Sequence, residues 1–151
     1  MHKPVPNLIL NIQQHEYSVS ITKEDQPDLL IIPGFYQIRK GNFWIARIED
    51  RVVGTIALLD IGNDMVALRK MFVDKEYRGA KVGVAYRLLK HALAWAKEKA
   101  IHQLFLGTTT QFLAAHKFYE KNGFTKLEKE ELPSTFPLVK VDKIFYKLYI
   151  R

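Results

Sequence analysis

The sequence contains no cysteine among its 151 residues. Without thiols the chain can form neither a disulfide nor a thiolate metal site, and we predict no metal centre. A cysteine acyl-enzyme intermediate is excluded as well. If this protein transfers a chemical group, it must do so directly or through another nucleophile.

Long apolar runs are lacking too. No run approaches the roughly 20 residues that span a membrane, and the start MHKPVPNLILNIQQ lacks the basic region, apolar core and cleavage site of a signal peptide. We therefore expect a cytoplasmic protein without membrane association. No internal repeat or low-complexity linker is visible, and a hydrophobic content of 48% suits one domain over residues 1–151.

The formal net charge of +7 is spread unevenly along the chain. Residues 67–107 carry nine lysines and arginines against three acidic residues, whereas residues 1–66 carry six against eight. Such a basic segment can bind nucleic acid, an acidic membrane surface or a phosphorylated small molecule, or it can be a solvated helix face. The sequence contains no motif typical of DNA or RNA binding, so we expect no nucleic-acid partner.

Apolar and β-branched residues predict a β-hairpin before the middle of the chain. The segments NFWIARI (42–48) and VVGTIALLD (52–60) flank the polar turn EDR, and a further strand is predicted at about 65–73. Short helices are predicted ahead of the hairpin, at residues 6–15 and near Pro27.

The apolar pattern changes period after this region. Apolar residues recur at steps of three and four from Val82 to Ala96, which predicts an amphipathic helix. The remaining predicted elements are a strand at 104–106, a helix at 112–122 with Gly123 as a left-handed C-cap, and strands at 124–130 and 143–150. Strands that alternate with helices beside a hairpin predict a mixed α/β sheet.

The stretch YRGAKVG (77–83) lies between a predicted strand and a predicted helix. The first N–H groups of a helix have no partner within the helix, and small residues before them let an anion approach closely. A tight turn without a ligand would explain the same residues. The glycine spacing fits neither the dinucleotide fingerprint nor a phosphate-binding loop with lysine followed by serine or threonine.

Four features in this order, MFV, YRGAKVG, a buried strand and AAHKFYEKNGF, resemble the GNAT superfamily of N-acetyltransferases. The resemblance covers about residues 42–151. It implies a GNAT-like α/β fold, with a mixed, largely antiparallel sheet flanked by helices, and acetyl-CoA as cosubstrate. We expect the family's first strand to be missing here, because the first predicted helix begins almost at Met1.

The resemblance also assigns residues to the cosubstrate. Backbone groups of Met71, Phe72 and Val73 would pair with the pantetheine arm of acetyl-CoA. The pyrophosphate would be bound by Arg78, Gly79, Ala80, Lys81, Val82, Gly83 and Val84.

Tyr119 matches the family tyrosine that protonates the departing thiolate. A phenol with a pKa of about 10 remains a donor at neutral pH, which suits that role. The alternative is a core tyrosine whose hydroxyl is bonded to a neighbour.

Three positions depart from the family pattern. Lys81 replaces a glycine, and its charge either strengthens the phosphate site or points to solvent. Phe112 stands where relatives often carry an asparagine near the pantetheine. Ala67 stands where many relatives carry a glutamate that acts as general base.

Since alanine cannot take a proton, another group must do so, or the amine must arrive neutral. Asp60, His116 and Glu120 are chemically suitable bases that the spacing does not rank.

Residues 67, 69, 71 and 73 would share one face of a regular strand, which puts Arg69 beside Ala67. Arg69 could there bind a substrate carboxylate, or it could lie at the solvated end of the strand. Aromatic residues could wall the acceptor pocket or simply pack in the core; they are Tyr17, Phe35, Tyr36 and the loop LPSTFP.

We therefore expect an acetyl-CoA-dependent N-acetyltransferase that transfers acetyl directly to a primary amine of a small molecule or peptide. A non-catalytic acyl-CoA-binding sensor or structural protein is the alternative, because the glutamate is absent. The sheet edge left by the missing first strand could be completed by a partner's strand in a homodimer.

Overall fold

The computed structural model describes Tyr36 and residues 39–48, 51–77, 83–110 and 113–150. Several expectations lie outside these residues: the two early helices, the missing first strand, residues 78–82 of the loop, and Phe112. In the part of the chain that is described, no helix is long and apolar enough to cross a membrane.

The described chain forms a six-stranded sheet with two helices. The strands are β1 (Asn42–Ile48), β2 (Arg51–Gly62), β3 (Met65–Val73), β4 (Gln103–Thr108), β5 (Thr125–Leu127) and β6 (Ile144–Tyr149), and the helices are α1 (Val84–Glu98) and α2 (Leu113–Lys121). The strand order is β1-β2-β3-β4-β6-β5, and only the β3–β4 pairing is parallel. The predicted mixed, largely antiparallel sheet is confirmed.

Most predicted elements agree with the structure to within one or two residues, and β3 has the predicted bounds. Gly123 adopts the predicted left-handed conformation, with φ of 91°. The predicted strand 124–130 is wrong in its second half, because β5 ends at Leu127 and residues 129–131 form a 3₁₀ turn. A capping box causes the change: the side chains of Glu128 and Glu131 each accept a hydrogen bond from the other's backbone N–H.

Two apolar layers cover the sheet. The helix face carries α1 and α2 and includes Leu68, Leu104, Leu106 and Tyr146. The opposite face carries two smaller clusters, one around Ala57 and one that joins Ala67, Phe105 and Phe145. Because side chains alternate along a strand, consecutive residues of a strand pack on opposite faces of the sheet.

Helix α1 lies close against the sheet. A Cβ placed on Gly54 of β2 would lie 3.0 Å from side-chain atoms of Val84 and Leu88, so a larger residue there would force these side chains to move. At the other end of α1, the Trp95 Nε1–H donates to the carbonyl of Lys40 over 2.9 Å. These contacts fix the N-terminus of α1 beside the end of β3.

A β-bulge interrupts β3 at Lys70. Thr55 pairs with Phe72 but Ala57 pairs with Arg69, so two residues of β3 oppose Ile56 of β2. Lys70 has φ of 54°, and its carbonyl accepts a 2.6 Å hydrogen bond from Oγ1 of Thr55.

The bulge overturns the expectation that residues 67, 69, 71 and 73 share one face. Ala67 packs on the opposite face, whereas Met71 and Val73 pack on the helix face. The extra residue advances the alternation by one, because side chains in a strand repeat with a period of two.

We predict that Thr55→Val weakens the fold through this bulge. Thr55 is fully buried, and valine keeps its shape while removing the donor to the Lys70 carbonyl. The free energy of unfolding should fall by roughly 0.5 to 1.5 kcal/mol in urea denaturation. Thr125→Val, at an exposed position of β5, is the matched control and should change the free energy of unfolding by less than about 0.5 kcal/mol. Equal effects in both variants would show that the hydrogen bond does not stabilise the bulge.

Candidate functional site

The parallel pairing of β3 with β4 is short. It runs from Met65–Gln103 to Ala67–Phe105, yet β3 continues to Val73 and β4 to Thr108. Past Ala67–Phe105, β4 pairs in the described residues only with β6. Strands that continue after their ladder ends leave a backbone-walled opening, which we call the strand cleft.

The three residues expected to hold the pantetheine arm lie on β3 beyond the last β3–β4 pair. Met71, Phe72 and Val73 thus line one wall of the strand cleft. Their side chains point away into the two apolar layers, Met71 and Val73 to the helix face and Phe72 to the opposite face. The wall that they offer to a ligand is therefore mainly backbone.

An ion-pair cluster fixes the chain where it leaves β3. Asp74 accepts from Arg51 Nη2 at 2.7 Å, and Arg51 Nη1 lies 3.1 Å from Glu76 Oε2. The Asp74 N–H donates to the carbonyl of Val53 over 2.7 Å, and Asp74 Oδ1 accepts from the Glu76 N–H over 3.1 Å. The start of the YRGAKVG loop is thereby attached to β2.

Gly83 ends this loop and caps α1. Its φ of 68° and ψ of 20° lie in the left-handed region, where glycine is favoured over residues with a side chain. Its carbonyl accepts the N–H of Arg87 over 3.0 Å, so helical bonding begins here. Val84 packs its side chain into the helix face, and its backbone belongs to the first turn, where N–H groups and the helix dipole favour an anion.

Tyr119 of α2 is buried on the helix face. Its ring lies 5.4 Å from that of Phe124 and 5.8 Å from that of Tyr146, measured between centroids. Burial is the largest cause that raises the pKa of the Tyr119 hydroxyl, and the nearby charge of Asp142 raises it further. The hydroxyl therefore keeps its proton at neutral pH, as a proton donor must.

Arg69 lies on β3 opposite Ala57, on the face that also carries Ala67. Its guanidinium carbon is 5.9 Å from the centroid of the Tyr36 ring. Tyr36 is fully buried and packs against Phe43, so this aromatic residue belongs to the core. Its ring is close enough to the Arg69 guanidinium for a cation–π contact.

The three acids and bases proposed from the sequence are engaged in structural hydrogen bonds. Asp60 accepts the N–H groups of Lys40 and Gly62, which shapes the β2–β3 turn. His116 Nε2 lies 2.7 Å from the carbonyl oxygen of Thr109.

Glu120 accepts the hydroxyl of Tyr146 over 2.7 Å. This carboxylate lies on the exposed side of α2 and orients Tyr146, which packs between the helix and the sheet.

Sequence reasoning missed Asp142, which precedes β6. Its carboxylate lies over Gly107 of β4, because a Cβ built on Gly107 would be 2.6 Å from Oδ2 of Asp142. Burial raises the pKa of Asp142 to about 6, against the opposing effect of the charges of Arg69 and Lys70. Nothing in the local pattern KVDKIF marks this aspartate, because its site is made by the β4–β6 pairing.

Comparison with known proteins agrees with this geometry. An acetyltransferase of the GNAT family from Staphylococcus aureus has a TM-score of 0.94 and 38% identity, covering 98% of this chain and 92% of that one. A structure described as a streptothricin acetyltransferase from Bacillus anthracis, in complex with acetyl coenzyme A, has a TM-score of 0.63 and 28% identity over 80% of this chain and 69% of that one.

Among sequence relatives, an N-acetylaspartate synthetase of Xenopus tropicalis is 39% identical over 99 residues, which are 64% of this chain. The match spans only 36% of the length of that synthetase. Residues 7–124 match the family described as Acetyltransferase (GNAT) family. The chain therefore belongs to the GNAT acetyltransferase family, as the sequence predicts, and acetyl-CoA is the acetyl donor of that family.

Proposed function

We propose that this chain transfers acetyl from acetyl-CoA directly to the primary amine of a small molecule or peptide. The strand cleft is the observation that carries the proposal. Its β3 wall is mainly backbone, and it leads toward the N-terminus of α1. A long flexible thioester with phosphates at its far end matches a cleft that leads to a helix N-terminus, where an anion is favoured.

Each part of acetyl-CoA has candidate partners in this arrangement. Backbone groups of β3 at Met71–Val73 would hold the pantetheine arm. The loop residues Arg78–Val82, with Gly83 and Val84, would hold the pyrophosphate. The thioester supplies an activated acetyl group, and the chain's own residues would orient it, exclude water and supply the proton for sulfur.

Tyr119 is the proposed proton donor to the departing sulfur. Its buried hydroxyl keeps its proton, and Tyr119 packs in the same apolar cluster as Leu104 and Leu106 of β4. A protonated phenol can give its proton to a thiolate as the carbon–sulfur bond breaks, after which solvent restores the phenol.

The acceptor would bind on the opposite face, near Arg69. A guanidinium there can bind a carboxylate of the acceptor in a bidentate manner. Aspartate is the acceptor that the names of several relatives imply, and it carries such carboxylates. L-Aspartate is therefore the first acceptor to test, followed by other amino acids, peptide amines and polyamines.

An acceptor screen that measures release of free CoA tests the proposed function. The expected result is release that depends on both acetyl-CoA and one class of amine. Acetyl-CoA should also raise the melting temperature by binding the native state. Protein that is stabilised by acetyl-CoA but acetylates no amine in the panel would instead be an acyl-CoA-binding sensor.

We predict that Tyr119→Phe separates binding from turnover. Phenylalanine keeps the ring that packs against Phe124 and Tyr146 and removes only the hydroxyl. Turnover should fall by roughly 10²- to 10⁴-fold, while the melting shift with acetyl-CoA is nearly retained. Tyr149→Phe, which changes an exposed tyrosine at the end of β6, is the matched control and should keep full activity. Full turnover in Tyr119→Phe would remove Tyr119 from the mechanism.

A further inference from the structure

Ala67 leaves β3 without an acid or base at the position where many relatives carry a glutamate. Ala67 is fully buried on the opposite face, and its neighbours there include Phe105 of β4 and Phe145 of β6. An amine arrives at neutral pH mostly as an ammonium ion, so its nitrogen must lose a proton before it attacks. A carboxylate from another element on the same face could accept this proton.

Asp142 is on that face and close to the strand cleft. Gly107 pairs with Phe145, which packs in one cluster with Ala67, and the Asp142 carboxylate covers Gly107. Gly107 lies two residues past Phe105, where the β3–β4 ladder ends. The carboxylate therefore lies beside the cleft, on the side away from α2.

The backbone around Asp142 holds it in this place. The Asp142 N–H donates to the carbonyl of Val139 over 3.0 Å, and the N–H of Lys143 donates to the carbonyl of Thr108 over 3.0 Å. Gly107 completes the site, since its hydrogen leaves the space that the carboxylate fills. A turn that ends at Asp142 and the pairing of β6 with β4 thus position the acid together.

Charged and titratable groups face Asp142 from two described elements. Arg69 and Lys70 on β3 act on it with positive charge, and the hydroxyl of Tyr119 on α2 senses its negative charge. Among the described residues, the ion pairs join Lys40 with Asp64 and Arg51 with Asp74 and Glu76, and none includes Asp142.

From this geometry we infer that Asp142 is the general base that deprotonates the acceptor amine, in place of the glutamate that Ala67 lacks. The inference rests on the proposed function. The ammonium gives one proton to the carboxylate, directly or through one water, and its nitrogen bonds to the acetyl carbon. The carbon–sulfur bond breaks with its electron pair on sulfur, which takes the proton of Tyr119. The amide nitrogen loses its second proton to solvent, leaving N-acetylated product and free CoA.

This assignment places acid and base on opposite faces of β4. Tyr119 acts from the helix face and Asp142 from the opposite face, with the reacting carbonyl between them. A base whose pKa lies near 6 is ionised at neutral pH and is a stronger proton acceptor than an ordinary aspartate. Arg69, on the same face, would direct the acceptor so that its amine approaches Asp142.

The pH dependence of kcat/KM for wild type and Asp142→Asn tests the inference, with acetyl-CoA and the amine that the screen shows to react fastest. The kcat/KM of wild type should rise with pH, with a midpoint near pH 6. In Asp142→Asn this rise near pH 6 should be absent, and kcat/KM at pH 7 should be roughly 10²- to 10³-fold lower than in wild type. The deficit should shrink to about 10-fold or less by pH 10, because the amine then arrives neutral.

Two further variants make the result specific. Asp64→Asn removes an exposed acid outside the site and should leave the profile unchanged. Glu120→Gln tests a rival base and should keep the rise near pH 6. A deficit in Asp142→Asn that is the same at every pH would indicate a structural role and overturn the inference. Wild type that acetylates no amine would overturn the proposed function instead.

A measurement without ligand provides an independent readout. The folded pKa of Asp142 is above the usual value of 3.8, so the contribution of Asp142 to stability is greatest at low pH and is lost as pH rises from about 4 through 6. Asp142→Asn should therefore raise the melting temperature above pH 6 by roughly 3 to 8 °C and give no gain at pH 4.

Asp64→Asn is the opposite case, since its hydrogen bond to Lys40 lowers the pKa of Asp64, and this variant should gain no stability at any pH. Failure of Asp142→Asn to gain stability above pH 6 would contradict the half-buried, ionised carboxylate on which the inference depends.

Discussion

The early end of the β3–β4 ladder is the constraint on which the rest of the site depends. Backbone N–H and C=O groups in a sheet are normally hydrogen-bonded to neighbouring strands, so a ligand can bind them only where strand pairing ends. Here the parallel pairing ends at Ala67–Phe105 while both strands continue. The bulge at Lys70 begins just beyond this point and turns the rest of β3. The β3 residues beyond the end of the ladder therefore have side chains that alternate in a shifted phase.

The candidate catalytic and binding side chains near the cleft lie on both faces of the sheet. In the proposed mechanism the helix face would supply the proton donor, the buried Tyr119, whose raised pKa keeps it protonated. The opposite face supplies a carboxylate and a guanidinium, Asp142 and Arg69, whose charges act on each other across the cleft. The charge of Asp142 also raises the pKa of the Tyr119 hydroxyl, so the carboxylate helps to keep the phenol protonated.

Glycines in this fold mark places where another group must come close. Gly54 admits α1 to the sheet, and Gly107 admits the carboxylate of Asp142 to β4. Gly83 has a different role, because its positive φ turns the loop into the first turn of α1. Hydrogen bonds at Asp74 and Gly83 therefore hold the chain on either side of the YRGAKVG loop.

The sequence alone determined the elements and the family. Hydrophobic period distinguishes strands from helices, so β3 and the C-cap at Gly123 could be predicted, and the loop with FYEKNGF indicated the GNAT family. Local patterns could not predict the bulge at Lys70, since it arises from pairing with β2, and so the faces of Met71 and Val73 were assigned wrongly.

Asp142 was beyond sequence reasoning for a related reason. Its carboxylate gains its environment from Gly107, 35 positions earlier in the chain, and from the charges on β3. Burial and long-range electrostatics exist only once β6 has paired with β4, and these two effects convert an ordinary aspartate into a candidate base. The tertiary structure, not the residue type, decided which of the chain's acids lies at the site.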